Sequence, residues 1–392
     1  MLYHMEGGIS RMPSTARQKK SFVKPFTQYD YMLLFMTACI ALFGVLMIYS
    51  AGYYRASIFN QPYRFVKSQL QGLGIGFVLM IIISKVDYQI FIQKITGKRY
   101  SLSLTHIVYL AALALQVAVL FIGEEYNGAK RWIKIGPLQF QPSEISKIAA
   151  ILFISYAVYK NRKALDSFMG FLCVMAYMMP LVMLIAKENL SSAIIVGGIS
   201  VGMCFIASNK KGYFIVCVLL LVAAVVLYIM FGDPFRMKRI QIWLNVETHP
   251  DAQQIKQGLY AIASGGLFGK GLGQSMQKLG FIPEAYNDMI FTVICEELGI
   301  VGAALVIIAF LMLFWRIVVI ACHAPDIFGT MLCVGVMVQL AIQVVINIAV
   351  VTNSIPSTGI PLPFISYGGT SEMIMMAEMG LVLGVSRQIK QK

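Results

Sequence analysis

The sequence predicts an all-α polytopic membrane protein, with about ten transmembrane helices and a large extracytoplasmic loop between helices seven and eight. Composition is the first observation behind this. Of 392 residues, 58% are hydrophobic and only 13% charged, and the mean hydropathy is +0.74. A soluble domain is nearer a quarter charged. The second observation is a series of apolar runs of roughly the length a helix needs to cross hydrocarbon. They cover 30–51, 68–86, 102–122, 143–159, 167–186, 190–207, 212–231, 288–318, 328–351 and 371–387.

Residues 1–29 read as a polar, basic tail (Arg11, Arg17, Lys19, Lys20, Lys24) without the short apolar core and cleavage site of a signal peptide, so the first helix is expected to stay inserted. Residues 30–387 read as one transmembrane domain, with 232–287 as the large loop and 388–392 as a short tail. The eighth run is long enough to protrude or tilt. Runs two, six and ten contain Gly, Ser or Glu and are expected to face the bundle. Lys and Arg concentrate in the tail, 86–101, 160–166, 208–211, 316–327 and the C-terminus, which places both termini in the cytoplasm. The long loop, 123–142 and 352–370 then share the opposite face. The seven cysteines lie in or beside apolar runs without a C-x-x-C pair and read as small core residues. The four histidines have no metal-ligand spacing, no internal repeat stands out, and no nucleic-acid partner is expected.

Several motifs rise above this background. Phe281 to Gly299 leaves a polar loop and enters an apolar helix, with Asp288 at the crossing. A partly desolvated carboxylate there binds its proton more tightly and makes a better base. In 123–142, Lys130, Arg131 and Lys134 cluster beside Trp132, an interface-favoured residue. Glu144 and Lys147, three apart at the start of the fourth helix, share a face and can neutralise one another. In the long loop, the Gly-Lys pair at 269–270 fails as a phosphate loop, because Gly271 stands where Ser or Thr is required. Its glycines suit close backbone packing or a position flat on the membrane. Arg236, Lys238, Arg239, Lys256, Lys270 and Lys278 could hold a diphosphate or anionic head groups.

Gln339, Gln343 and Asn347 recur every fourth residue and suit interhelical hydrogen bonds. Glu296, Glu297, Glu372 and Glu378 lie within or at the ends of helices, where ionisable groups suggest function unless paired. Residues 356–370, rich in Pro and Gly and including Ser366, must be buried in protein or line a cavity.

Four signatures together resemble the SEDS family (FtsW, RodA, SpoVE) over nearly the whole chain: N-G-x-[KR]-R-W with Q-P-S-E (127–144), G-G-L-F-G-K-G-L-G (265–273), P-E-A-x-x-D-x-I-F-x-V-x-x-E-E-L-G (283–299) and P-L-P-F-I-S-Y-G-G (361–369). The resemblance implies a peptidoglycan glycosyltransferase of the bacterial cytoplasmic (inner) membrane. Such an enzyme polymerises lipid II on the outer face beside a class B penicillin-binding protein, other cell-division or elongation proteins and membrane lipids.

It implies Asp288 as general base and Glu144 with Lys147 shaping the cavity. Lys130, Arg131, Arg239, Lys270 and Lys278 are expected at the diphosphate, and Ser366 is expected to bind substrate. Inversion at the anomeric carbon is expected, and a divalent cation (Mg or Mn) could bridge diphosphate and carboxylates, though no dedicated ligand set appears. Asn189, Thr358 and Tyr286 depart from common family residues, and the chain leans toward the FtsW/SpoVE branch. The alternatives are a lipid II flippase or ion-coupled transporter, and a non-catalytic division scaffold.

Overall fold

The computed structural model describes residues 29–94, 102–126, 129–135, 138–216, 219, 223 and 234–389. Its helices are α1 (Tyr31–Ile58), α2 (Arg64–Lys85), α3 (Leu104–Ile122), α4 (Pro142–Asn161), α5 (Phe168–Glu188), α6 (Leu190–Ala207), α7 (Pro234–Leu244), α8 (Gln253–Ser264), α9 (Ile290–His323), α10 (Ile327–Val351) and α11 (Gly369–Ser386). Seven of them, α1, α2, α3, α5, α6, α9 and α10, are long and apolar enough to cross a membrane. Most of the expected seventh run, 212–231, lies outside the described residues, as do residues 1–28, residues 390–392 and Cys217.

Side-chain chemistry sorts the helices into perimeter and core. Phe35, Leu42, Leu305, Ile308, Leu311 and Trp315 point outward from α1 and α9, as a surface facing acyl chains requires. By contrast, α4 and α11 carry buried Glu144, Lys147, Glu372 and Glu378 and turn them inward. Glycines let α2 and α11 approach closely: a Cβ on Gly72 would fall 2.6 Å from the Gly369 carbonyl oxygen, and one on Gly380 2.7 Å from that of Met80. The cysteines divide. Cys204, Cys295 and Cys333 are buried as expected, whereas Cys39, Cys173 and Cys322 are exposed.

Short polar side chains start several helices by accepting free backbone N–H groups. Asp30 accepts from Leu33 at 2.9 Å, Asn189 from Ser192 at 3.1 Å and Asp326 from Gly329 at 2.7 Å. Asp30 also pairs with Arg316 of α9 at 2.7 Å.

Two features correct the expected all-α bundle. The connection between α3 and α4 is an antiparallel sheet of β1 (Glu124–Tyr126), β2 (Ala129–Ile135) and β3 (Leu138–Phe140), in that order. Ile133 is buried and Lys134 exposed, the two-residue alternation of a strand.

The second correction is a break in α9 at Gly299 (φ 68°, ψ −168°), a backbone conformation open to glycine. The loop 265–273 fills the break with its own backbone. Ile300 N–H donates to the Gly266 carbonyl at 3.0 Å and Val301 N–H to that of Leu267 at 3.1 Å. Lys270 and Gly271 N–H donate to the carbonyls of Glu296 and Glu297 at 2.9 and 3.0 Å. Backbone groups freed at this depth must be paired. A Cβ on Gly269 would collide with the Glu297 carbonyl, so the loop's glycines serve close packing.

Candidate active site

Asp288 lies in the turns of residues 281–289, just ahead of α9. That segment is zipped onto the Pro/Gly stretch before α11. Tyr367 N–H donates to the Tyr286 carbonyl at 3.0 Å, Ser366 Oγ to that of Asn287 at 2.8 Å and Asn347 Nδ2 to that of Asp288 at 2.8 Å. Phe65 of α2 stacks on Tyr286, with ring centroids 4.1 Å apart, and meets Tyr367 edge-on at 5.2 Å.

Beside the carboxylate lies Gly359, the end of the stretch 353–359. A Cβ on Gly359 would sit 3.9 Å from Asp288 Oδ2. This stretch is held by three donors from two elements, α7 and α6: Arg239 Nη1 to the Ser357 carbonyl at 3.1 Å, Trp243 Nε1 to that of Asn353 at 2.9 Å and Ser191 Oγ to that of Thr358 at 2.7 Å. Arg239 and Trp243, four apart on α7, thus share the face that covers the stretch.

Asp288 is partly buried. Desolvation, reinforced by the neighbouring Glu284 carboxylate, pushes its pKa up to about 6, while Arg239 pulls the other way. The site therefore combines a carboxylate that accepts a proton near neutral pH with a guanidinium that can hold an anion. Sequence reasoning missed Glu284, although it stands four residues before Asp288 in the same motif.

The remaining expected residues divide. Lys270 Nζ lies 2.7 Å from Glu296 Oε1, and Lys278 Nζ 2.6 Å from Glu297 Oε1. Lys278 donates also to Ser50 of α1 at 2.8 Å. Both acids are fully buried, so Lys270 and Lys278, expected at the diphosphate, each sit on a buried carboxylate. Glu296 and Glu297 are anchors of the glycine loop.

Lys130 and Arg131 lie half-buried on β2 and meet the end of α5: the Lys130 N–H donates to Glu188 Oε2 at 2.9 Å and Arg131 Nε to the Glu188 carbonyl at 2.7 Å. Glu144 and Lys147 form the expected ion pair at 2.9 Å, and Ser371 Oγ donates to Glu144 at 2.9 Å. Gln339 Nε2 reaches Glu378 across the helices at 2.6 Å. Ser366 holds backbone on both sides, since its Oγ also accepts from Leu362 N–H at 2.8 Å.

Fold and site together define a multi-pass membrane protein with a proton-binding carboxylate, Asp288, and the Arg239 guanidinium at one end of its helix bundle. The chain belongs to the FtsW/RodA/SpoVE family of cell cycle proteins, whose profile matches residues 30–391.

Stage V sporulation protein E of Bacillus subtilis (strain 168) is 37% identical over 366 residues, spanning 92% of this chain and 98% of the relative. A probable peptidoglycan glycosyltransferase FtsW of Trichlorobacter lovleyi is 36% identical over 376 residues, spanning 94% and 96%. Among solved structures, one described as the structural coordination of polymerization and crosslinking by a peptidoglycan synthase complex matches with a TM-score of 0.76 at 26% identity, covering 93% of this chain and 99% of that one. The rod shape determining protein RodA of Thermus thermophilus matches at 0.68 and 26%, covering 93% and 98%.

Proposed function

We propose that this chain is a peptidoglycan glycosyltransferase that polymerises lipid II, with Asp288 as general base. The observation that carries this is the placement of Asp288, partly buried, raised in proton affinity and within the field of Arg239. Relatives named as probable peptidoglycan glycosyltransferases, matched over nearly the full chain, support it.

An acceptor sugar hydroxyl attacks the anomeric carbon of the lipid-linked donor. Its proton passes to Asp288 as the new C–O bond forms. The bond to the diphosphate breaks, and the diphosphate departs with the electron pair. Attack from the face opposite the leaving group inverts the anomeric centre. Diphosphate needs charge stabilisation more than protonation, so a single carboxylate suffices. Arg239 supplies the charge, with Lys130 and Arg131 on β2 as further candidates.

The described residues hold no cluster of three or more metal-ligating side chains. A Mg or Mn ion entering with the diphosphate would rest on phosphate oxygens and Glu284, since Mg commonly binds through one or two carboxylates plus substrate phosphates. The site end of the bundle is assigned to the outer face of the cytoplasmic membrane, with both termini inside. A class B penicillin-binding protein is the partner the family resemblance implies, and the neighbouring structure, described as a synthase complex that coordinates polymerization and crosslinking, supports a crosslinking partner. The relatives support a septal or sporulation role within the lean toward FtsW and SpoVE. Purified protein given labelled lipid II tests the reading: glycan polymer supports it, and translocation between leaflets without polymer supports the flippase.

A further inference from the structure

Asp288 belongs to a run of three consecutive carbonyls, Tyr286, Asn287 and Asp288, each held by a different donor from the packed face behind the site. Two donors come from neighbours on one loop, Tyr367 N–H and Ser366 Oγ. The third comes from a separate helix: Asn347, fully buried on α10, uses one amide nitrogen for both the Asp288 carbonyl at 2.8 Å and the Ile360 carbonyl at 2.9 Å. Asn347 therefore bolts the segment carrying the carboxylate to the loop that faces it. Among the described residues its own Oδ1 has no hydrogen-bond partner. A buried amide with an orphaned acceptor costs free energy that an apolar side chain of the same shape avoids. What the amide provides at this position is its donor.

We propose that Asn347 is a positioning residue for the reaction: by fixing the Asp288 and Ile360 carbonyls together, it sets where the Asp288 carboxylate points and how far water reaches it. This rests on the reading of Asp288 as the base. Ser366 performs the same task one carbonyl earlier. The charged groups acting on Asp288 are Glu284 on its own segment and Arg239 on α7. Loss of the bolt thus alters hydration and aim at the carboxylate without removing a charge.

The test uses the full chain in lipid, with carbon-13 aspartate and infrared titration, the Asp288 band being identified by its loss in Asp288→Asn. Asn347→Leu keeps the shape and removes the donor. It is expected to lower the titration midpoint by about one pH unit as water enters. It is also expected to reduce kcat for polymerisation by about a hundredfold with KM little changed, the cost of a misplaced group. Ser366→Ala moves both in the same direction by less. Gln343→Leu, one turn away on the same buried face, leaves the midpoint where it was.

An unchanged midpoint in folded Asn347→Leu overturns the proposal. If that variant does not fold, an unchanged midpoint in Ser366→Ala overturns it. The titration needs no turnover. Absence of polymer from the unmodified protein therefore counts against the glycosyltransferase reading, while a shifted Asp288 band still supports the bolt.

Discussion

Lys278 Nζ lies 2.6 Å from Glu297 Oε1, both side chains buried, and thereby joins the loop after the glycine stretch to the half of α9 that begins beside Asp288. Removing one member of such a pair leaves a charge without its partner in a low-dielectric setting. Lys278→Ala should therefore destabilise the fold by about 3–5 kcal/mol. Thermal unfolding in detergent checks this. Lys270→Ala should cost less, because Lys270 is about one-third exposed (34%) and water can replace it.

Gly299→Ala should fail more completely. A Cβ there meets the backbone of Gly269 and Leu267, and φ of 68° with ψ of −168° is a region essentially reserved for glycine. The expected result is a strong loss of folded protein in size-exclusion chromatography, with no rescue by added lipid.

The Glu144–Lys147 pair offers a double test. Lys147→Met alone strands a carboxylate supported by Ser371 and should cost about 3 kcal/mol or more. Glu144→Leu combined with Lys147→Met should recover much of that stability, since apolar replacements of buried pairs are often neutral. Unfolding midpoints of the two single variants and the double variant decide it.

Asp288 should trade stability for chemistry. Folding raises its pKa from the usual carboxylate value to about 6, so the folded state binds the proton more tightly than the unfolded chain. As pH rises from about 4 to 6, this group therefore subtracts stability, and above that range the full penalty is present. Asp288→Asn should raise the unfolding midpoint at pH 7.5 and leave it nearly unchanged at pH 4. The same group gives an acid limb to activity: the rate should climb through about pH 6 as the base loses its proton.

How far the sequence revealed these features depends on how local each one is. Glu144 and Lys147 are one helical turn apart, so spacing alone put them together. Asp288 stood out because polar loop and apolar helix meet there within one motif. The break at Gly299 was hidden, since hydropathy continues unbroken from Leu298 into Ile300 and only a distant loop makes the break tolerable. Lys270 and Lys278 find their partners 26 and 19 residues away, across a fold that no periodicity reports. The strands between α3 and α4 are too short, and β2 too rich in basic residues, to give an apolar signal. Asn347 belonged to a polar stripe whose members looked alike. In the structure Gln339 bonds another helix, whereas Asn347 bonds the backbone carbonyl of Asp288.

The central claim is that the Asp288 side chain takes the proton of the attacking hydroxyl. The most direct measurement is the rate of glycan polymer formation from labelled lipid II by folded Asp288→Asn, alongside the unmodified protein. Loss of a general base predicts a fall of about a hundredfold to ten-thousandfold, with the variant otherwise intact. Polymer formed at the unmodified rate would contradict the account.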